Sequence, residues 1–196
     1  MSSKKGLILF LFVLFVAISI PLAIGAKKAI SIEEFKADAV LIGGNRPESG
    51  TMKIVINRWS TDEEKDQLHA AFAENGQDGL LKAMQKTEQI GFLSFRNGIG
   101  YPVHYSREKP GEDGSRRIIL ITDRYINFWE ARNNFRTMEY PFTLIELRLD
   151  KNNKGEGKMS IATKIALNKE SKLFELEDWG TAQTLLMNVR SLKKPN

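Results

Sequence analysis

The chain contains no cysteine among its 196 residues. No disulfide can support the fold, so its stability has to come from a hydrophobic core. No thiol can act as nucleophile or metal ligand, and the lipid-bearing cysteine of a bacterial lipoprotein is missing. Histidine is almost as scarce, with only His69 and His104. Two isolated histidines do not make a zinc site, and there is no His-Glu-x-x-His pair. The Gly-x-Ser-x-Gly elbow of the α/β-hydrolases is absent too. No internal repeat occurs, and no low-complexity stretch lies beyond the N-terminal apolar run. The charge excess is small: Lys and Arg number 29 against 24 acids, and the two signs are interspersed. That pattern gives little support to nucleic-acid binding, which favours a clustered basic face.

What is present begins with an address. Lys4 and Lys5 precede an uncharged run from Leu7 to Ile20, then Pro21 and the small residues Ala23, Gly25 and Ala26. A basic start, an apolar run and small residues two apart describe an export signal, with a cut expected between Gly25 and Ala26. The alternative is an uncleaved anchor, since residues 6 to 26 come close to the ~20 apolar positions a spanning helix needs. Either way the remainder is expected outside the cytoplasmic membrane, periplasmic or extracellular. Residues 1–25 then form the signal and residues 26–196 a single β-rich domain. At about 170 residues it is long enough to bury a core unaided.

The domain reads as mainly β (α+β). Residues 35–42 and 51–59 suggest a hairpin, with Met52, Ile54 and Ile56 alternating against Lys53 and Asn57. The period changes at STDEEKDQLHAAFAENG. Ser60-x-x-Glu63 and Thr61-x-x-Glu64 each fit a capping box, and Asp62, Glu63 and Glu64 favour the positive end of a helix dipole. Leu68, Ala71 and Phe72 share a face, Asn75-Gly76 is an expected stop, and a second helix is expected with Leu80, Leu81 and Met84 inward. The rest alternates as strands. RRIILITD is apolar at both parities and is expected to be covered on both faces. PFTLIELRLD puts Ile145, Leu147 and Leu149 on one side and Glu146 and Arg148 on the other. KMSIATKIAL puts Met159, Ile161, Ile165 and Leu167 on one parity. About nine strands with short connections and an early pair of helices imply an antiparallel barrel or a two-sheet sandwich.

Four stretches carry a resemblance: R-W-S-T-D-E-E at 58–64, F-W-E-A-R-N at 128–133, P-F-T-L-I-E-L-R-L-D at 141–150 and G-E-G-K-M at 155–159. They resemble a group of uncharacterised exported bacterial proteins over most of the mature chain. The resemblance implies an exported single domain; it implies no activity and transfers no site.

Several segments invite chemistry. DKNNKGEGKMSI at 150–161 starts like a calcium loop, but Lys154 and Ile161 occupy positions that need oxygen ligands, so a polar hairpin loop is expected and no metal or cofactor is. His104 shares a strand face with Ser106, though a histidine base needs a nucleophile and an orienting group in space. Glu175, Glu177 and Asp178 near Trp179 could equip a carboxylate hydrolase; an exposed strand face would look the same. The densest segment is FWEARNNFR at 128–136, with Asp123-Arg124-Tyr125 before it and Glu139-Tyr140 after it. Arginine forks and aromatic rings suit a ligand site at a barrel mouth, giving Trp129, Arg124, Arg132, Arg136 and Tyr140 as candidate ligand-binding residues. The same segment could plug a barrel end with Phe128, Trp129 and Phe135 inward. The functional expectation is a noncatalytic exported protein that binds a small ligand or an envelope partner, touching the membrane only through its N-terminal segment if that stays uncleaved. The alternatives are the hydrolase and a structural or protein-interaction module.

Overall fold

In the computed structural model, the residues described are 33–41, 48–96, 98, 100–123, 141–179 and 183–193. They form β1 (Glu33–Leu41), β2 (Glu48–Ile56), α1 (Asp62–Met84), β3 (Gly91–Phe95), β4 (Tyr101–Val103), β5 (Tyr105–Pro110), β6 (Arg116–Thr122), β7 (Phe142–Leu149), β8 (Lys154–Leu167), β9 (Phe174–Trp179) and β10 (Thr184–Lys193). All pairings are antiparallel, in the order β4-β3-β2-β1-β10-β8-β7-β6-β5, with β9 paired to β8. The first and last strands of that path are two halves of one stretch, separated only at His104. The His104 amide still donates to Ile121 O at 3.1 Å. The sheet therefore bends round into a nearly closed barrel, which leaves few unpaired edge groups.

The barrel interior is filled. Phe35, Met52, Ile54, Ile56, Leu93, Ile118, Leu120, Ile145, Leu147, Met159, Leu186 and Val189 belong to one buried cluster. A second cluster lies outside the sheet, beneath the helix: Leu68, Leu80 and Met84 meet Tyr105, Ile119, Ile121, Phe142, Leu144, Ile165 and Phe174. The doubly apolar β6 is thus buried on both faces, Ile118 and Leu120 inward and Ile119 and Ile121 against the helix side. The alternation read in β7 also holds, with Ile145, Leu147 and Leu149 inside.

Two expectations need correction. Instead of a pair of helices there is one helical element, Asp62–Met84, with non-helical backbone at Asn75 (φ −133°) and Gly76 (φ 58°). No loop separates the two sides, so the predicted stop is a kink inside one element; glycine tolerates the positive φ at little steric cost. Its N-cap is Thr61, whose Oγ1 accepts from the Glu64 amide at 3.2 Å while Glu64 Oε2 accepts from the Thr61 amide at 2.9 Å. Ser60, the other capping candidate, is buried and pairs with Ser106. The second correction concerns β8, which does not keep one parity. Met159 and Ile161 face the barrel interior, whereas Ile165 packs beneath the helix. The break falls at Ala162, with φ 51°, where the β7–β8 register shifts. A β-bulge adds one residue and exchanges the faces beyond it.

Candidate functional site

The residues expected to bind ligand, Arg124, Trp129, Arg132, Arg136 and Tyr140, lie outside the described residues. Their flanks do not. β6 runs out at Thr122 and Asp123, and β7 begins at Phe142, next to Pro141. Leu41 of β1 and Thr184 of β10 are register partners at this same end of the barrel.

This end carries three buried threonines. Thr122 and Thr143 are cross-strand partners, two residues beyond the interior pair Leu120 and Ile145 on the same face. Thr184 stands opposite Leu41 and Met159. All three threonines are buried. The Oγ1 atoms of Thr143 and Thr184 are buried, with no hydrogen-bond partner among the described residues. Nearby, Gln183 Nε2 donates to Ser160 Oγ at 3.0 Å, and Thr163 Oγ1 donates to Asp178 O at 2.6 Å. Most buried polar atoms in folded proteins are paired, so two such hydroxyls at one end of the barrel require an explanation.

Asp123 turns to the outer side. Its Oδ1 is also buried, with no hydrogen bond among the described residues, and it lies 3.6 Å from His104 Nε2. His104 Nδ1 sits 3.2 Å from Thr87 O, which can only accept, so the hydrogen of that contact is on Nδ1. Among the described residues no nucleophile completes this pair. Ser106, the serine expected to share its face, is fully buried and directs its Oγ to Arg58 O at 3.3 Å. His69 is half-buried: its ring meets Phe174 edge-on at 4.8 Å, and its buried Nε2 has no hydrogen-bond partner among the described residues.

The opposite end of the barrel is closed by charge. Glu33, on β1, is 1% exposed and faces inward with Phe35. Arg116, on β6, donates to both its oxygens at 2.6 and 2.9 Å, to Glu108 at 2.8 and 2.7 Å, and to Asn153 Oδ1 at 2.7 Å. β1 and β6 are not neighbours, so the pair spans the interior. The hydrogen bonds to Glu33, opposed by burial, hold the guanidinium pKa above its usual value. Sequence reasoning missed this group, because its main partners stand 83 residues apart.

The carboxylates proposed for hydrolysis are engaged. Glu175 accepts from Arg117 at 3.0 Å and from Asn168 at 3.1 Å, and Glu177 from Gln77 at 3.3 Å. Arg117 also binds Glu146 at 3.0 Å, which Arg148 shares at 2.7 Å. Burial alone pushes the Glu146 carboxyl up, and the two arginines outweigh it and hold it below its ordinary value. The 150–161 segment is a β7–β8 hairpin. Asp150 Oδ1 accepts the amides of Asn152 and Lys154 at 2.8 and 3.0 Å, and Asn153 takes φ 57°. Among the described residues no cluster of three or more histidine, aspartate or glutamate side chains is arranged to hold a metal.

No family model, curated protein or solved structure matches the chain.

Proposed function

We propose that this chain is an exported, noncatalytic β-barrel protein that binds a small polar ligand at its threonine-lined end. The observation that carries the reading is the pair of buried hydroxyls, Thr143 Oγ1 and Thr184 Oγ1, which have no hydrogen-bond partner among the described residues and stand at the end of an apolar cluster. An unsatisfied buried hydroxyl costs stability, and a ligand that hydrogen-bonds it recovers that cost. Arg124, Trp129, Arg132, Arg136 and Tyr140 belong to the connection between β6 and β7, whose flanks stand at this end. In this reading they supply the ring and the planar forks that fix the ligand's orientation. Export rests on the N-terminal pattern and on the resemblance to exported proteins. The hydrolase reading is weaker, because Glu175 is committed to Arg117 and Asn168.

The test is a melting-shift screen of the full chain against sugars, polyols and small organic acids, followed by Thr143→Val, Thr184→Val, Trp129→Ala and Arg132→Ala. A hit that stabilises the parent chain and is lost in both valine variants supports the site. Hits that survive both threonine changes, or a screen with none, overturn it.

A further inference from the structure

The outer face of the sheet carries a row of charge that the sequence disperses. In register, Lys154 of β8 stands opposite Arg190 of β10, Arg190 opposite Lys36 of β1, and Lys36 opposite Lys53 of β2. Cross-strand partners share a face, and each of these residues has the parity opposite to the interior set Gly155, Val189, Phe35 and Ile54. Four cations therefore sit side by side on four consecutive strands. Neighbouring strands are about 4.8 Å apart, so the row is roughly 14 Å long. Like charges placed directly opposite destabilise a sheet. Edge protection does not explain them, because these strands are all paired on both sides.

Little in the surroundings neutralises the row. Lys53 is paired with Glu34 at 3.0 Å, and Asp38 accepts from Asn188 at 2.9 Å. Asp150 lies close enough to feel Lys154, and Glu156 pairs in register with Arg148. Among the described residues, no salt bridge involves Lys36, Arg190 or Lys154. Arg96 adds a further cation beside Lys36, Lys53 and Thr51, around a shallow recess of ≈ 530 Å³ that Leu192 also lines. Leu192 and Met187 are each 51% exposed, and both belong to β10, on either side of Arg190.

We propose that this face of β8, β10, β1 and β2 docks on an anionic phospholipid surface, with Lys154, Arg190, Lys36 and Lys53 on the headgroup phosphates and Met187 and Leu192 in the interface. The cations fit any polyanion. The two exposed apolar side chains decide for lipid, since they gain from partial burial among acyl chains and nothing from a polyphosphate or a nucleic-acid backbone. This docking is independent of the ligand reading, because it uses the outside of the barrel and no residue of the threonine-lined end.

The test is co-sedimentation of the full chain with vesicles of phosphatidylcholine, alone or mixed with phosphatidylglycerol. Any binding through the N-terminal apolar segment and its Lys4 and Lys5 is common to all variants, so the comparison of variants with the parent isolates the barrel face. The expected result is a salt-sensitive gain on the anionic vesicles. The double change Lys36→Glu and Arg190→Glu should reduce that gain about 25-fold or more, at roughly fivefold for each basic residue near an anionic surface. Leu192→Ser with Met187→Ser should weaken vesicle binding and leave retention on inorganic polyphosphate unchanged. All these positions are on the outer face, and Lys154→Gln with Arg190→Gln gives a milder pair should the charge reversal fail to fold. Equal binding to both vesicles, or variants that bind like the parent, overturns the proposal. Tight polyphosphate binding with no effect of the apolar changes on vesicles assigns the face to a polyanion and overturns it as well.

Discussion

Replacing Arg116 by alanine should be among the most damaging changes on this barrel. Arg116 makes five hydrogen bonds, four of them to carboxylates, and its side chain is 14% exposed. Its loss leaves Glu33, 1% exposed, without a cation in a closed barrel end. Breaking a buried pair by removing one partner typically costs about 3–5 kcal/mol, against at most about 1 for an exposed pair. For a chain of this size that corresponds to a melting temperature lower by about 10 °C. The double change Arg116→Met with Glu33→Met removes both charges and fills the space with apolar volume, which is often close to neutral. It should therefore be more stable than Arg116→Ala, although Glu108 and Asn153 lose a donor. Urea unfolding of the parent, the single and the double variant measures this directly. A loss below about 1 kcal/mol for Arg116→Ala, or a double variant less stable than the single, would refute the idea of a buried charge seal.

Thr184→Val keeps the volume and removes a buried hydroxyl with no partner among the described residues, so in the absence of ligand it should raise stability by about 1 kcal/mol in urea melts; a loss of that size would mean the hydroxyl is satisfied. His69 has its pKa lowered, first by burial and then by the charge of Lys65, so the neutral ring is favoured in the folded state. Its contribution is complete above the ordinary imidazole range and is lost as pH falls through that range toward the folded value. Unfolding measured at pH values on either side of that range should show this fall in the parent and a smaller one in His69→Phe, which keeps the edge-on contact with Phe174; equal slopes would refute it. Gly157→Ala places a Cβ 2.6 Å from Glu146 O and 2.7 Å from Leu147 Cδ2. A backbone oxygen must then shift within the β7–β8 pair, and thermal melts should show a loss of about 1–3 kcal/mol; an unchanged melt would show that the pair relaxes freely.

Local signals were legible and distant ones were not. The capping box at Thr61 and Glu64 spans three residues, and the acidic first turn follows it directly, so the helix start could be read from the chain. The two-faced apolar run of β6 stated its own burial. Ala162 is different: a residue at φ 51° is usually foreshadowed by glycine or asparagine, and alanine gives no such sign, so the parity change in β8 was hidden. The charge seal, the threonine-lined end and the cation row share another reason. Each is assembled from strands distant in sequence, and their meeting depends on register, which one-dimensional alternation does not specify between non-consecutive strands. The interspersed charges read as a surface with no concentration of one sign, yet residues 36, 53, 154 and 190 meet in one row.

A single residue in β10 decides how that strand serves both faces of the barrel. Leu186 and Val189 both point inward although they are three residues apart, a step that strict alternation forbids. The register with β8 and with β1 slips between them, where Asn188 takes φ 53°. Asparagine tolerates that conformation because its short polar side chain can bond locally, and here its Nδ2 donates to Asp38 Oδ2 at 2.9 Å. With an unbroken period of two from Thr184 and Leu186, the next inward position but one would be residue 190. Arg190 would then enter the apolar barrel and Val189 would face outward, at the cost of burying a charge. The bulge removes that conflict: it keeps Thr184 at the threonine-lined end and returns Arg190 to the outer row beside Lys36. The strand that contributes a buried hydroxyl to the proposed ligand site and a cation to the proposed lipid face can do both only because one extra residue shifts its phase between them.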